Sequence, residues 1–291
     1  MEYVNMLLKY LGTVLSSAFF QIMAVFGFFF IFGILLYFIS RSTRGTFANS
    51  GNQKLDIYFT GWIGTPVHEL GHAFFCLIFG HRIDNIKLFS PNSLDGSLGY
   101  VNHSYNPDSF YQNVGKFFIG LGPIIFGSFI LYALMYFMLP NFNEISLILS
   151  SSKIQNTGFF DLMRNFGSLF QYGLKILAIV FTFSNFGSLL FWLFLYLSFS
   201  ISSHMQLSPP DLKGMFEGLG TIIGIFLLIN MVTVLLKFDL TGYILKYSHF
   251  TGILFGIFLF SLFISLVNFI LTYIIITTIH FIKYRRLVSI I

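Results

Sequence analysis

Between Ile57 and Phe79 the chain runs with a single charged side chain, Glu69, and that residue stands between two histidines. A run this long and apolar can cross the roughly 30 Å hydrocarbon layer of a bilayer as a helix. Hydrocarbon offers no water to an ionisable side chain, so His68-Glu69-Leu70-Gly71-His72 is costly there unless its members act together. The spacing says how they do so. On an α-helix, residues i and i+4 share a face about 6 Å apart along the axis, which lets His68 and His72 bind one Zn²⁺. Glu69 projects beside them, where it can serve as general base for a water activated by the metal. Pro66, preceded by Gly64 and Thr65, predicts that the helix starts or restarts at that point, since proline is tolerated in a first helical turn. The motif would then occupy the first turns of a helix running toward Gly80.

The rest of the chain is just as apolar. Of 291 residues, 56% are hydrophobic and 9% charged, with a mean hydropathy of +0.80; soluble domains carry about 25% charged residues. The expected fold class is an all-α polytopic membrane protein lying in the lipid bilayer, a single integral-membrane domain over residues 1–291 with a catalytic core at about 57–215. Six segments are long enough to span: about Leu11 to Ile39, the motif helix, Phe117 to Leu139, Leu177 to Ser203, Leu219 to Leu236, and Gly252 to Ile282. The polar connections Arg41 to Asp56, Gly80 to Lys116 and Pro140 to about Tyr172 are too short for an independent domain. An even number of spans puts both termini on one side, and Lys and Arg then divide equally between the two sides, so charge does not choose the orientation. The net charge of +5 is scattered without a basic tract, which gives no support to nucleic-acid binding. Cys76 is the only cysteine, so no internal disulfide forms. It lies about 12 Å along the axis from His68, too far to share one tetrahedral zinc, and is expected to pack. The abundance of Phe, Ile, Asn and Ser suits a microbial cell membrane as the location.

A catalytic zinc keeps one position for water and needs a third protein ligand. The segment from Ser202 to Gly214 offers two, His204 and Asp211, around Pro209-Pro210. Consecutive prolines prevent a continuous helix there, and irregular backbone at membrane depth is tolerated only when buried in protein or lining a watery cavity. His81, His103, His249 and His280 are expected to be interfacial or packing residues, and Glu144, Asp161 and Glu217 solvated loop charges.

Taken in order, the motif helix opening Gly64-Thr65-Pro66-Val67-His68-Glu69-Leu70-Gly71-His72, the run Gly96-Ser97-Leu98-Gly99-Tyr100-Val101, the helix start Gly120-Leu121-Gly122-Pro123 and the turn Pro209-Pro210-Asp211-Leu212-Lys213-Gly214 resemble the site-2 protease family of intramembrane zinc metalloproteases. The likeness covers roughly residues 60–130 and 195–215. The turn departs from the family's Leu-Asp-Gly, because Leu212 and Lys213 follow the aspartate. The resemblance implies a β-hairpin beside the active site, Zn²⁺ held by His68, His72 and Asp211, and peptide hydrolysis in membrane-anchored protein substrates with Glu69 as base. It leaves His204 to orient substrate or stabilise an oxyanion, and lets Gly99, Tyr100 and Val101 pair with an unwound substrate strand. A membrane transporter or scaffold that uses the same residues to bind metal without proteolysis is the alternative.

Overall fold

The computed structural model describes residues 1–93, 97–151, 159–246 and 249–289. Gly96 of the expected hairpin lies outside the described residues, as do the side chains of Asp161 and His249. The chain is mainly helical: α1 (Glu2–Asn49), α2 (Gln53–Asp56), a π-helical turn (Ile57–Gly61), α3 (Trp62–Ile78), α4 (Phe110–Met138), α5 (Phe142–Ser151), α6 (Phe159–Val180), a 3₁₀ turn (Phe183–Gly187), α7 (Leu189–Ser202), α8 (Pro209–Leu235), α9 (Leu240–Lys246) and α10 (His249–Tyr284). Between α3 and α4 the strands β1 (Arg82–Lys87) and β2 (Tyr100–Ser104) form the expected hairpin, antiparallel from Arg82↔Ser104 to Lys87↔Tyr100 with an irregularity between Ile83 and Asn85.

Four helical stretches are long and apolar enough to cross a membrane: Glu2–Gly27, Phe110–Met138, Pro209–Leu235 and Gly256–Tyr284. These point to a membrane protein, but with four such segments among the described residues rather than six. The motif helix α3 has 17 residues, about 26 Å at 1.5 Å per residue, which falls short of the hydrocarbon thickness. The expected span from Leu177 to Ser203 is divided by the 3₁₀ turn, where the buried Asn185 amide donates to the Val180 carbonyl at 2.9 Å and takes over the end of α6. That leaves α7 with 14 residues. The polar connections are also more ordered than composition suggests. Arg41 and Arg44 belong to α1, Glu144 lies on α5, the Asp161 position on α6, and Glu217 on α8. Glu217 is exposed, as expected of a solvated charge, but it stands on a helix and pairs with Lys116.

Packing centres on α4, which lies against α3 on one side and α8 on the other, with α10 alongside α1. Phe32, Phe117, Phe191, Phe194, Phe258 and Phe260 are fully buried among them. Lipid tails are as apolar as these rings, so shape and interhelical hydrogen bonds must hold such helices together. One bond set of this kind is clear: Gln21 of α1 and Asn230 of α8 exchange amide hydrogen bonds at 3.0 and 2.7 Å, and Gln21 also donates to Thr241 of α9 at 2.9 Å.

Candidate metal centre

The motif helix α3 starts at Trp62, four residues before Pro66, so the proline lies inside the helix and not at its beginning. What fixes its position is contact with α4. A Cβ built on Gly71 would lie 2.7 Å from the Gly122 carbonyl oxygen, and one built on Gly122 would lie 2.6 Å from that of Gly71. Backbone touches backbone, a closeness that only glycine permits. Gly120-Leu121-Gly122-Pro123 is therefore a helix crossing. It is not a helix start, because α4 begins at Phe110 behind its Ser109 cap.

That crossing brings His72 to a carbonyl without a helical partner. Pro123 has no N–H to give the residue four positions earlier, and the carbonyl thus released, Ile119 O, accepts from His72 Nδ1 at 2.8 Å. His68 is held in the same way. Its Nδ1 donates at 2.7 Å to the carbonyl of His204, in the break between α7 and α8. Pro209 and Pro210 occupy the first positions of α8, and Ser208 caps it: the Ser208 N–H and hydroxyl donate to Asp211 Oδ2 at 2.7 and 2.6 Å, while the Ser208 hydroxyl accepts from the Asp211 N–H at 3.4 Å. This reciprocal cap leaves Asp211 Oδ1 turned to His72 Nε2, 3.2 Å away.

His68, His72 and Asp211 thus converge, with one ligand atom from each within 4.8 Å of the others. The two Nε2 atoms are 3.1 Å apart, and His68 Nε2 is 3.8 Å from Asp211 Oδ2. Ligands about 2.0–2.1 Å from a tetrahedral zinc stand about 3.3 Å apart, so the spacing suits such an ion. Proton accounting leads to the same place. With each Nδ1 proton committed to a carbonyl, neutral rings present two lone pairs to one another and to a carboxylate, and only a cation or an added proton reconciles three acceptors at this range. Imidazole ligands held through the opposite nitrogen are the usual second layer of a metal site. Among the described residues no fourth side chain joins the group.

The group opens on a cavity of about 680 Å³ that Glu69 also lines, together with Arg44, Lys116 and residues 97–103 of the hairpin. Glu69 is buried against the start of β2: a Cβ on Gly99 would lie 2.8 Å from Glu69 Cγ and 2.9 Å from Thr65 Cγ2. Tyr100 and Val101 follow at the cavity wall, and β2 has β1 as its strand neighbour on one edge only, among the described residues. His204 reaches the group through its carbonyl and is outside the ligand set. Its buried ring has Nδ1 at 3.1 Å from the Ser200 carbonyl and 3.0 Å from Ser203 Oγ, and its Nε2 has no partner among the described residues. Cys76 is fully buried in the core, as a packing residue should be. His81 is buried, as a packing residue is, and His103 in front of it lines the cavity. Burial holds both imidazoles below their ordinary range, with His103 brought to about 4. Comparison with protein-family models, curated proteins and solved structures finds no match to this chain.

Proposed function

We propose that this protein is a zinc-dependent intramembrane endopeptidase of the site-2 protease kind, acting on membrane-anchored protein or peptide substrates. The observation that supports this most is the meeting of His68, His72 and Asp211, with no fourth such side chain among the described residues, on a cavity shared with Glu69. A structural zinc site is closed by four protein ligands, whereas a catalytic one keeps a position open. The donor set of two imidazoles and a carboxylate suits zinc, which would supply Lewis acidity and a water of lowered pKa. With zinc held by His68, His72 and Asp211, Glu69 would be the general base for the attacking water and the group that passes its proton to the leaving amine. An extended stretch of substrate pairs along Gly99, Tyr100 and Val101 by strand addition, which requires a helical substrate to unwind first. His204, which also lines the cavity, serves to orient that stretch or to stabilise an oxyanion.

The test is cleavage of single-pass reporter substrates in proteoliposomes by the wild type and Glu69→Gln. The wild type should cut, and E69Q should lose about a hundredfold to ten-thousandfold in rate while retaining its zinc. A wild type that binds zinc and cuts no membrane-anchored substrate would favour the transporter or scaffold reading instead.

A further inference from the structure

A second pair of histidines stands beside the same cavity, His103 in its wall and His81 buried behind it, and its proton arrangement differs from that of the ligand pair. His81 lies just past the end of α3 and is buried. Its Nε2 is 2.8 Å from the carbonyl of Gln112, and its Nδ1 is 3.0 Å from Nδ1 of His103 on β2. A carbonyl only accepts, so His81 carries its proton on Nε2 and turns a lone pair from Nδ1 to its neighbour. His103 must then donate from Nδ1. For His68 and His72 no proton was left for the nitrogens that face each other; here one is, because His103 has a second nitrogen to leave bare. That nitrogen, Nε2, has no partner among the described residues, and it belongs to a residue that lines the cavity.

We infer that His103 is a substrate-positioning residue whose Nε2 accepts a hydrogen bond from a backbone N–H of a bound peptide, with His81 and the Gln112 carbonyl fixing the tautomer that makes it an acceptor. The inference rests on the peptide-substrate reading and adds a recognition contact to it. An extended peptide laid along β2 carries N–H groups that need acceptors once water is displaced. A bare imidazole nitrogen on that strand meets the need, and its neutral form suits it better than a charged one, which would be a donor.

The test measures binding, so it does not depend on cleavage. Full-length zinc-loaded protein in detergent is titrated with a peptidyl hydroxamate and with acetohydroxamate, which share the chelating group and differ in the peptide. His103→Asn keeps a donor for His81 but removes the acceptor from the ring edge, and should lose about fivefold to tenfold for the peptidyl compound with no change for acetohydroxamate. His103→Gln returns an acceptor near the position of Nε2 and should bind both within about twofold of wild type. His81→Leu should behave like H103N, and His81→Asn, which restores an acceptor for His103 Nδ1, like the wild type. The inference is overturned if H103N binds both compounds as the wild type does. A loss of both in equal measure would make the ring structural and overturn it too, as would a wild type that gains nothing from the peptide. The protease reading stands or falls separately, on cleavage by the wild type and its loss in E69Q.

Discussion

Asp211 has two tasks at one residue, and they can be separated. Its Oδ2 closes the cap of α8 with Ser208 while its Oδ1 faces His72. Asp211→Asn should abolish high-affinity zinc binding and keep part of the cap. Ser208→Ala should cost about 1 kcal/mol of stability and leave zinc stoichiometry at one per chain, as read by metal analysis and thermal unfolding of the two variants side by side. The motif residues were legible from their order alone, because i and i+4 on a helix need no knowledge of the rest of the fold. Asp211 was legible as one of two candidates in a proline-broken segment, and only likeness to a family chose it over His204, since 139 positions separate it from His72 and spacing says nothing over such a distance. His204 was drawn into the same search by its residue type. Its main service to the site is a main-chain carbonyl, which no side-chain pattern encodes.

At the scale of elements, Pro123 links the α3–α4 crossing to the chemistry by withholding an N–H from Ile119 O. Pro123→Ala would return that N–H and make it compete with His72 Nδ1 for one carbonyl. Zinc affinity, measured by competition with a chelator, should fall about tenfold, in line with other losses behind a metal ligand, although the helix itself becomes more regular. Gly71→Ala meets backbone rather than a flexible side chain and should destabilise the packing of α3 on α4 by about 1–3 kcal/mol. The hairpin carries its own pH dependence. His103 is held to about 4, first by desolvation and then by His81, His72 and Lys116, with Asp84 opposing. A histidine whose folded value is depressed favours the folded state above its ordinary pKa of about 6.5 and loses that advantage as pH falls toward 4. The protection factors of the β1–β2 amides, with the intrinsic exchange rate divided out, should therefore fall over that range. Pro123 was visible in the sequence as a proline in an apolar run, but the carbonyl it frees matters only because Gly71 and Gly122 bring His72 within reach. Apolar length likewise overstated the spans: Asn185 divides one of them, and only its buried contacts reveal that.

Over the whole molecule, the site joins three helices distant in sequence: α3 supplies both histidines, α4 a supporting carbonyl and α8 the carboxylate. An ion bound at a hundred times its dissociation constant adds about 2.7 kcal/mol to the folded state. A chelator should thus lower the unfolding temperature of the wild type and leave His72→Ala, which has no site to empty, where it was. The membrane class was legible from composition, since a chain with 9% charged residues has little to offer water, whereas the number of apolar helices long enough to cross depends on where each one breaks. The most direct test of the account is zinc X-ray absorption on the purified full-length protein. It should find one zinc per chain with only nitrogen and oxygen neighbours at about 2.0–2.2 Å, and no zinc in the variant lacking His72. Metal-free protein, or a sulfur neighbour at about 2.3 Å that only cysteine or methionine can provide, would contradict it.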